Sequence, residues 1–190
     1  MRKTIREFLQ TALLSLLVFA ALQVTIQNFR VEGSSMEQTL QSGQYLLVNK
    51  LVYYRLNVEK LARVLPFLDA EQGAVKYLFH PPHRGEVIVF RYPQDPSRDF
   101  VKRVIAVPGD AVEIREGTVY VNGQRVQEPY VDSAAPTSMR RIVMGPDEYF
   151  VMGDNRPHSN DSRAFGPVSM EYIIGRAWLA YWPLSEWKSF

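Results

Sequence analysis

The chain offers one serine pair in a setting where a hydroxyl could be put to chemical use: Gly33-Ser34-Ser35-Met36, running into Glu37-Gln38-Thr39-Leu40. A serine hydroxyl becomes a useful nucleophile only when a base within hydrogen-bond reach takes its proton. Gly-Ser-Ser by itself is a commonplace loop sequence, so the base decides the matter. The segment Phe100-Val101-Lys102-Arg103-Val104-Ile105-Ala106-Val107 supplies a candidate. On a strand its side chains alternate faces. Phe100, Lys102, Val104 and Ala106 fall on one face, and Val101, Arg103, Ile105 and Val107 on the other. Both faces are mainly apolar, which predicts a strand buried on both sides that carries two cations inward. A buried Arg stays charged and needs a carboxylate partner. A buried Lys can instead lose its proton. Bringing its pKa from about 10.4 to about 8 takes roughly 3 kcal/mol of bias against the ammonium. A neutral amine beside a serine hydroxyl is a general base. Taken from this strand alone, a Lys102 that reaches to a rim or pairs with an acid is the more ordinary alternative.

A second oddity is Gly153-Asp154-Asn155-Arg156-Pro157-His158-Ser159-Asn160-Asp161-Ser162-Arg163, eleven residues almost without apolar side chains directly after the apolar Tyr149-Phe150-Val151-Met152. Such a loop on a rigid scaffold is either a mobile surface turn or an internally hydrogen-bonded support. Asp161 has two candidate ion-pair partners, Arg163 and Arg103, and Ser159 is a candidate to hold an amine in place. A Ser-His-Asp set can also be written from Ser159, His158 and Asp154 or Asp161, but residues adjacent on a turn usually diverge. His80 and His83 lie in the Pro-rich His80-Pro81-Pro82-His83. The three histidines show no metal-ligand spacing, so neither a metal nor another cofactor is expected. The chain has no cysteine, which removes thiol nucleophiles, zinc ribbons and disulfides. A net charge of +2, without a basic run of five or more, predicts no nucleic-acid partner.

These residues must be positioned by what surrounds them. Arg2, Lys3 and Arg6 precede a largely apolar run from Phe8 to Ile26. As a helix of about 19 residues it spans roughly 28 Å, close to the hydrocarbon thickness of a bilayer. The basic residues in front predict residues 1–7 on the cytoplasmic side, residues 8–27 as a transmembrane anchor and residues 28–190 as an extracytoplasmic domain. A cleaved secretory signal and a buried helix are the rival readings of the same run. After the anchor come short β-type runs broken by turns: Phe29–Glu32, Tyr45–Val48, Glu86–Tyr92, Phe100–Val107, Ala111–Ile114, Thr118–Val121, Tyr149–Met152 and Ile173–Tyr181. Tyr92–Ser97 reads as a turn, and Asn122-Gly123 as a tight hairpin. Residues 111–146 form a small annex, loop-rich from 126 onward. Residues 53–83 read as an inserted excursion, in which Val58, Leu61, Ala62 and Leu65 recur at helical spacing up to Pro66. The fold class is therefore mainly β: an N-terminal transmembrane helix followed by a domain of coiled antiparallel sheets with a small β annex.

Four blocks, in order, resemble the bacterial type I signal peptidase family, the membrane-anchored Ser-Lys proteases that remove signal peptides. They are Gly33–Leu40; Tyr45–Lys50; Arg84–Phe90 with Phe100–Asp110; and Gly153–Arg163. The resemblance implies Ser35 as nucleophile and Lys102 as general base. It implies Ser159 as the serine that orients the lysine, and Asp161 with Arg163 as a structural pair behind the site. Shallow pockets for small residues would be lined by Phe29, Val31, Met36, Leu40, Phe100 and Val101. The implied partners are secretory preproteins and the lipid bilayer, and the implied location is the plasma membrane. The chain departs from the family pattern at Gln38, where Pro is usual, and at Ala106, where Gly is usual. At Gly33 some members carry a Ser or Thr that donates to the oxyanion. More loosely, the Ser-Met and Lys blocks resemble the self-cleaving repressor proteases, from which the anchor separates this chain. A tethered β-domain that binds exported peptides without cutting them is the reading from a different class, and the retention of both Ser35 and Lys102 weighs against it.

Overall fold

The structure, a computed structural model, describes residues 2–57 and 75–190. Helix α1, Arg2–Thr25, stands clear of the rest, with its apolar side chains exposed along its length. It is long and apolar enough to cross a membrane, by length and composition. Leu13, Leu14, Leu16, Leu17 and Phe19 are all exposed, so the apolar surface of the helix is uncovered among the described residues.

The helix passes without a linker into strand β1, Ile26–Arg30, three residues earlier than the Phe29 start expected from alternation. Thr25 and Ile26 are β-branched and leave the helix readily. The Thr25 carbonyl accepts from Lys50 N at 2.9 Å, so the sheet begins at the last helical residue. β1 pairs antiparallel with β2, Tyr45–Asn49, from Ile26↔Asn49 to Arg30↔Tyr45.

The further strands are β3, Arg55–Asn57; β4, Val75–Tyr77; β5, Val87–Tyr92; β6, Asp95–Ala106; β7, Ala111–Arg115; β8, Thr118–Val121; β9, Gln124–Arg125; β10, Met139–Val143; β11, Glu148–Met152; β12, Val168–Ser169; β13, Ile173–Trp182; and β14, Lys188–Ser189. A one-turn helix α2, Ser162–Phe165, lies between β11 and β12. The main sheet runs β1-β2-β13-β5-β6-β11-β12, with β14 also on β13. A second sheet, β10-β7-β8-β9, is the annex, and β3 pairs only with β4 among the described residues. The chain is mainly β, with an N-terminal apolar helix, as its patterning indicates.

Several local expectations change. The turn at Tyr92–Ser97 shrinks to Pro93-Gln94, because Asp95 already pairs with Tyr92. The Pro96 that suggests a longer turn sits in the exposed start of β6, where a missing N–H costs little. The annex carries β10 inside the stretch expected to be loop, paired to β7 through a register shift between Met139 and Ile142. The Asn122-Gly123 hairpin is present, with φ of 53° and 80°. The described ends of the excursion are strands, Arg55↔Tyr77 to Asn57↔Val75. The helix expected over Val58–Leu65 lies outside the described residues. Where the excursion returns, His80 stacks on His83 with ring centroids 4.6 Å apart, beside Glu86. Two of the three histidines, which show no metal-ligand spacing in the sequence, are therefore neighbours.

Candidate active site

The strand β6 is what makes a buried lysine possible. Val104, Ile105 and Ala106 are 0–2% exposed, and Lys102 is 4% exposed. β6 is covered by β5 along Phe100–Arg103 and by β11 only from Arg103 onward. Residues 99–102 therefore keep one open edge next to a closed core. The Lys102 ammonium nitrogen lies 2.7 Å from Ser35 Oγ and 2.8 Å from the Val101 carbonyl, and 5.2 Å from the Phe100 ring centre. Burial lowers its pKa to about 8, against an opposing pull from the carboxylates of Asp161 and Asp154.

Ser35 sits in a turn built by its own backbone. Glu37 N donates to Ser34 O at 3.1 Å, and Thr39 N and Leu40 N both donate to Met36 O. Gly33 opens the turn at φ 84°, a conformation that favours glycine. The polar loop holds this turn from behind. Asn155 N donates to Ser35 O at 3.1 Å, and Asn155 Nδ2 donates to Ser34 O at 3.0 Å and to Glu37 at 3.1 Å. Gly153–Arg163 is thus a hydrogen-bonded support and not a mobile surface turn. Asp161, 0% exposed, takes Gly153 N at 3.0 Å and Arg163 Nε at 2.8 Å, and it caps α2 through Arg163 N. Arg103 pairs not with Asp161 but with Asp154, at 2.9 and 2.7 Å, and also donates to Gly85 O and Thr39. The Ser-His-Asp set does not form. His158 is exposed, and its Nδ1 contacts Asn155 Oδ1 at 3.1 Å.

Ser159 does not hold the lysine as the resemblance implies. Its Oγ is buried without a hydrogen-bond partner, and the lysine nitrogen is satisfied by Ser35 and Val101 instead. The hydroxyl lies against Gly153, inside the same shell as the nucleophile turn.

A cleft of about 410 Å³ opens over the pair, lined by Phe29, Val31, Leu46, Val89, Phe100 and Val101 beside Ser35 and Lys102. Met36 and Leu40, expected on its walls, are 1% and 0% exposed and pack in the core with Val48, Val87 and Ala177. Their side chains turn under the nucleophile because the turn bonds back on Met36 O. Leu46 and Val89 take their place on the wall. The strand register could have found Val89, which lies opposite Val101.

The annex contributes a strap that sequence reasoning missed. Glu128 forms an ion pair with Arg156, the Tyr130 ring centre lies 4.0 Å from the Arg103 guanidinium, and Asp132 accepts from Gln38 Nε2 at 2.9 Å. Gln38, where the family usually has Pro, has φ 83°, a conformation closed to proline, and its side chain ties the turn to Asp132. The Arg156 side chain is 2% exposed. Glu128→Ala is expected to strand that cation and to cost about 3 kcal/mol in urea unfolding. Glu128→Gln should recover part of the loss, and an alanine variant within about 0.5 kcal/mol of the parent would rule the strap out as a support.

The family model described as "Signal peptidase, peptidase S26" matches residues 3–182. A probable signal peptidase I-1 of Synechocystis sp. is 32% identical over 193 residues, 95% of this chain and 86% of that protein. Signal peptidase IB of Staphylococcus aureus strain COL is 31% identical over 207 residues, 99% of this chain and 95% of that protein. The solved signal peptidase I of Enterococcus faecalis V583 aligns at 31% identity with a TM-score of 0.46, over 51% of this chain and 97% of that one. Since the family match runs from the apolar helix to the end of the last long strand, the chain belongs to the signal peptidase family of S26 peptidases.

Proposed function

We propose that this protein is a membrane-anchored serine endopeptidase that removes signal peptides through a Ser35–Lys102 dyad. The observation that carries the reading is the 2.7 Å approach of a buried lysine, its pKa lowered to about 8, to a turn-held serine. The 4% exposure of Lys102 supports the neutral amine as its working form. An extended preprotein segment lies in the slot between the outer edge of β1 and the open edge of residues 99–102, adding a strand. Phe29, Val31, Phe100 and Val101 narrow that slot, so small side chains fit and large ones overpack it.

The neutral Lys102 amine accepts the Ser35 proton as Oγ bonds to the scissile carbonyl carbon. The carbonyl π electrons move to its oxygen, which the Ser35 amide receives; a preorganised donor of this kind is worth on the order of 3 kcal/mol. The C–N bond then breaks, and the leaving amine takes its proton from Lys102. In the second half Lys102 takes a proton from water as its oxygen adds to the acyl ester carbon; the C–O bond to Ser35 then breaks, and the Ser35 oxygen takes that proton back from Lys102, which restores the hydroxyl and the neutral amine. Asp161 and Arg163 act as positioning residues, by fixing Gly153 and the loop behind Ser35. Arg2, Lys3 and Arg6 in the first turns of α1, ahead of its apolar run, favour an N-terminus in the cytoplasm and the β-domain on the outer face of the plasma membrane. The anchor confines enzyme and preprotein to one plane, which raises their effective concentration.

Labelling with a serine-directed acylating agent tests this directly. The modified peptide is expected to contain Ser35, and the rate of labelling should climb with pH through about 8 and level off above it as Lys102 loses its proton. Modification elsewhere, or a flat profile from pH 6 to 10, would count against the dyad.

A further inference from the structure

His80 and His83 lie at the end of the excursion, separated by Pro81-Pro82, with Glu86 just ahead of β5. One ligand atom from each of the three side chains falls within 4.8 Å of the others. The two rings are nearly parallel, at 15°, and the Tyr53 ring meets His80 edge-on at 6.0 Å.

The surroundings of His80 and Glu86 fit a ligand's role. His80 Nδ1 is 2.8 Å from the Pro81 carbonyl, a contact that assigns the ring proton to Nδ1 and leaves the Nε2 lone pair free. Orientation of a metal-ligating imidazole by a carbonyl on its other nitrogen is a recurrent arrangement. Glu86 is held just as firmly. Its Oε2 accepts from the Tyr53 hydroxyl at 2.7 Å and from His83 N at 2.8 Å, and its Oε1 lies 3.3 Å from Arg176 Nη1. A carboxylate offers about four lone-pair directions, so these three contacts leave one. The adjacent prolines stiffen the turn between the two histidines, which lowers the ordering cost of bringing them to one ion.

We propose that His80, His83 and Glu86 form a binding site for a divalent cation of the zinc class. Two imidazoles and one carboxylate are a known donor set for zinc, with water completing the shell. The Arg176 charge beside the carboxylate weakens the site relative to an isolated cluster of the same ligands. The ion has a structural consequence. It bridges the returning end of the excursion to the residue that leads into β5, whose Ile88 lies opposite Lys102. Neither Ser35 nor Lys102 belongs to the cluster, so binding is read independently of peptidase activity.

The test uses the full chain without an affinity tag, in detergent, stripped by chelator and titrated calorimetrically with Zn²⁺. The expected result is one equivalent bound at protein concentrations on the order of 10 μM, with a rise in Tm that chelator reverses. His80→Ala and His83→Ala are each expected to weaken binding at least about tenfold. His158→Ala, which removes the remaining histidine, leaves it unchanged. Should His80→Ala fail to fold, His83→Gln, which alters an exposed residue, is titrated in its place with the same loss expected. No saturable binding, or binding indifferent to both the His80 and His83 substitutions, overturns the proposal.

Discussion

Ser35→Ala and Lys102→Met are each expected to lower kcat/KM for preprotein cleavage by about 10⁴-fold or more, with the double variant no slower than the worse single one. In the proposed mechanism the two groups act on one proton, so removing either would remove the step, and a second deletion would find nothing left to take. Purified variants and a fluorogenic signal-sequence peptide are enough to measure this. Retention of a tenth of the activity by either single variant would sink the dyad, and additive losses would mean that the two residues act independently. The same lysine substitution carries a second signature. Lys102 is held at about 8 against an ordinary 10.5, a difference worth roughly 3 kcal/mol of folding energy. Below pH 8 both folded and unfolded chains carry the proton and the full penalty applies. Between pH 8 and 10.5 the unfolded chain binds more protons, so the stability of the parent rises with pH. Lys102→Met removes the penalty but leaves the Val101 carbonyl without its donor. The inactive variant is therefore expected to be more stable at pH 7 by about 1–3 kcal/mol, with the gap closing toward pH 10. A dead enzyme that melts higher is the pattern of a site maintained at the expense of the fold.

The second large effect falls on a residue without a side chain. A Cβ on Gly153 would meet both the Ser159 hydroxyl and the Ser35 carbonyl oxygen closer than 3.0 Å. The hydroxyl can swing aside, but the backbone oxygen cannot move without carrying the nucleophile turn with it. Gly153→Ala is expected to cut kcat by about 10²-fold or more, because a displacement on the order of 1 Å at the reacting atoms is that costly. KM should change little, since Phe29 and Val31 across the cleft are untouched. Gly123→Ala is the control. That residue has φ 80° and open space around it, so alanine there is expected to cost about 1 kcal/mol of stability and leave kcat alone. Wild-type kcat in Gly153→Ala would show that the contact is not tight.

What can be read from the sequence follows from the range of the interactions. Lys102 is conspicuous because a strand with apolar residues on both faces declares its own burial, and the lysine is an anomaly inside that pattern. Asp161 and Arg163 are two residues apart, so their pairing is nearly local. Asp154 as the partner of Arg103 is a contact across 51 positions between two strands' ends, and nothing in either segment chooses Asp154 over Asp161. The strap is less legible still. Glu128, Tyr130 and Asp132 lie in a stretch without periodicity, and their partners are 28, 27 and 94 positions away. Met36 and Leu40 pack beneath the cleft instead of lining it, and a turn, unlike a strand, has no fixed period from which to assign such faces. The start of β1 is hidden because Thr25, Ile26 and Gln27 suit the end of an apolar helix as well as the start of a strand, and only the partner strand β2 decides between them.

The passage from α1 to β1 without a spacer turns the first strand into a gauge. Four extended residues, Ile26 to Phe29, at about 3.3 Å each, put the near end of the cleft, at Phe29, roughly 13 Å from the end of the helix. Because every one of those residues pairs with β2, that height is set by sheet hydrogen bonds and not by the slack of a tether. Whatever plane the helix occupies, the near end of the cleft keeps a fixed distance from the helix end along β1, and on the proposed function a peptide emerging from the same plane would meet Ser35 only after a defined length of extended chain.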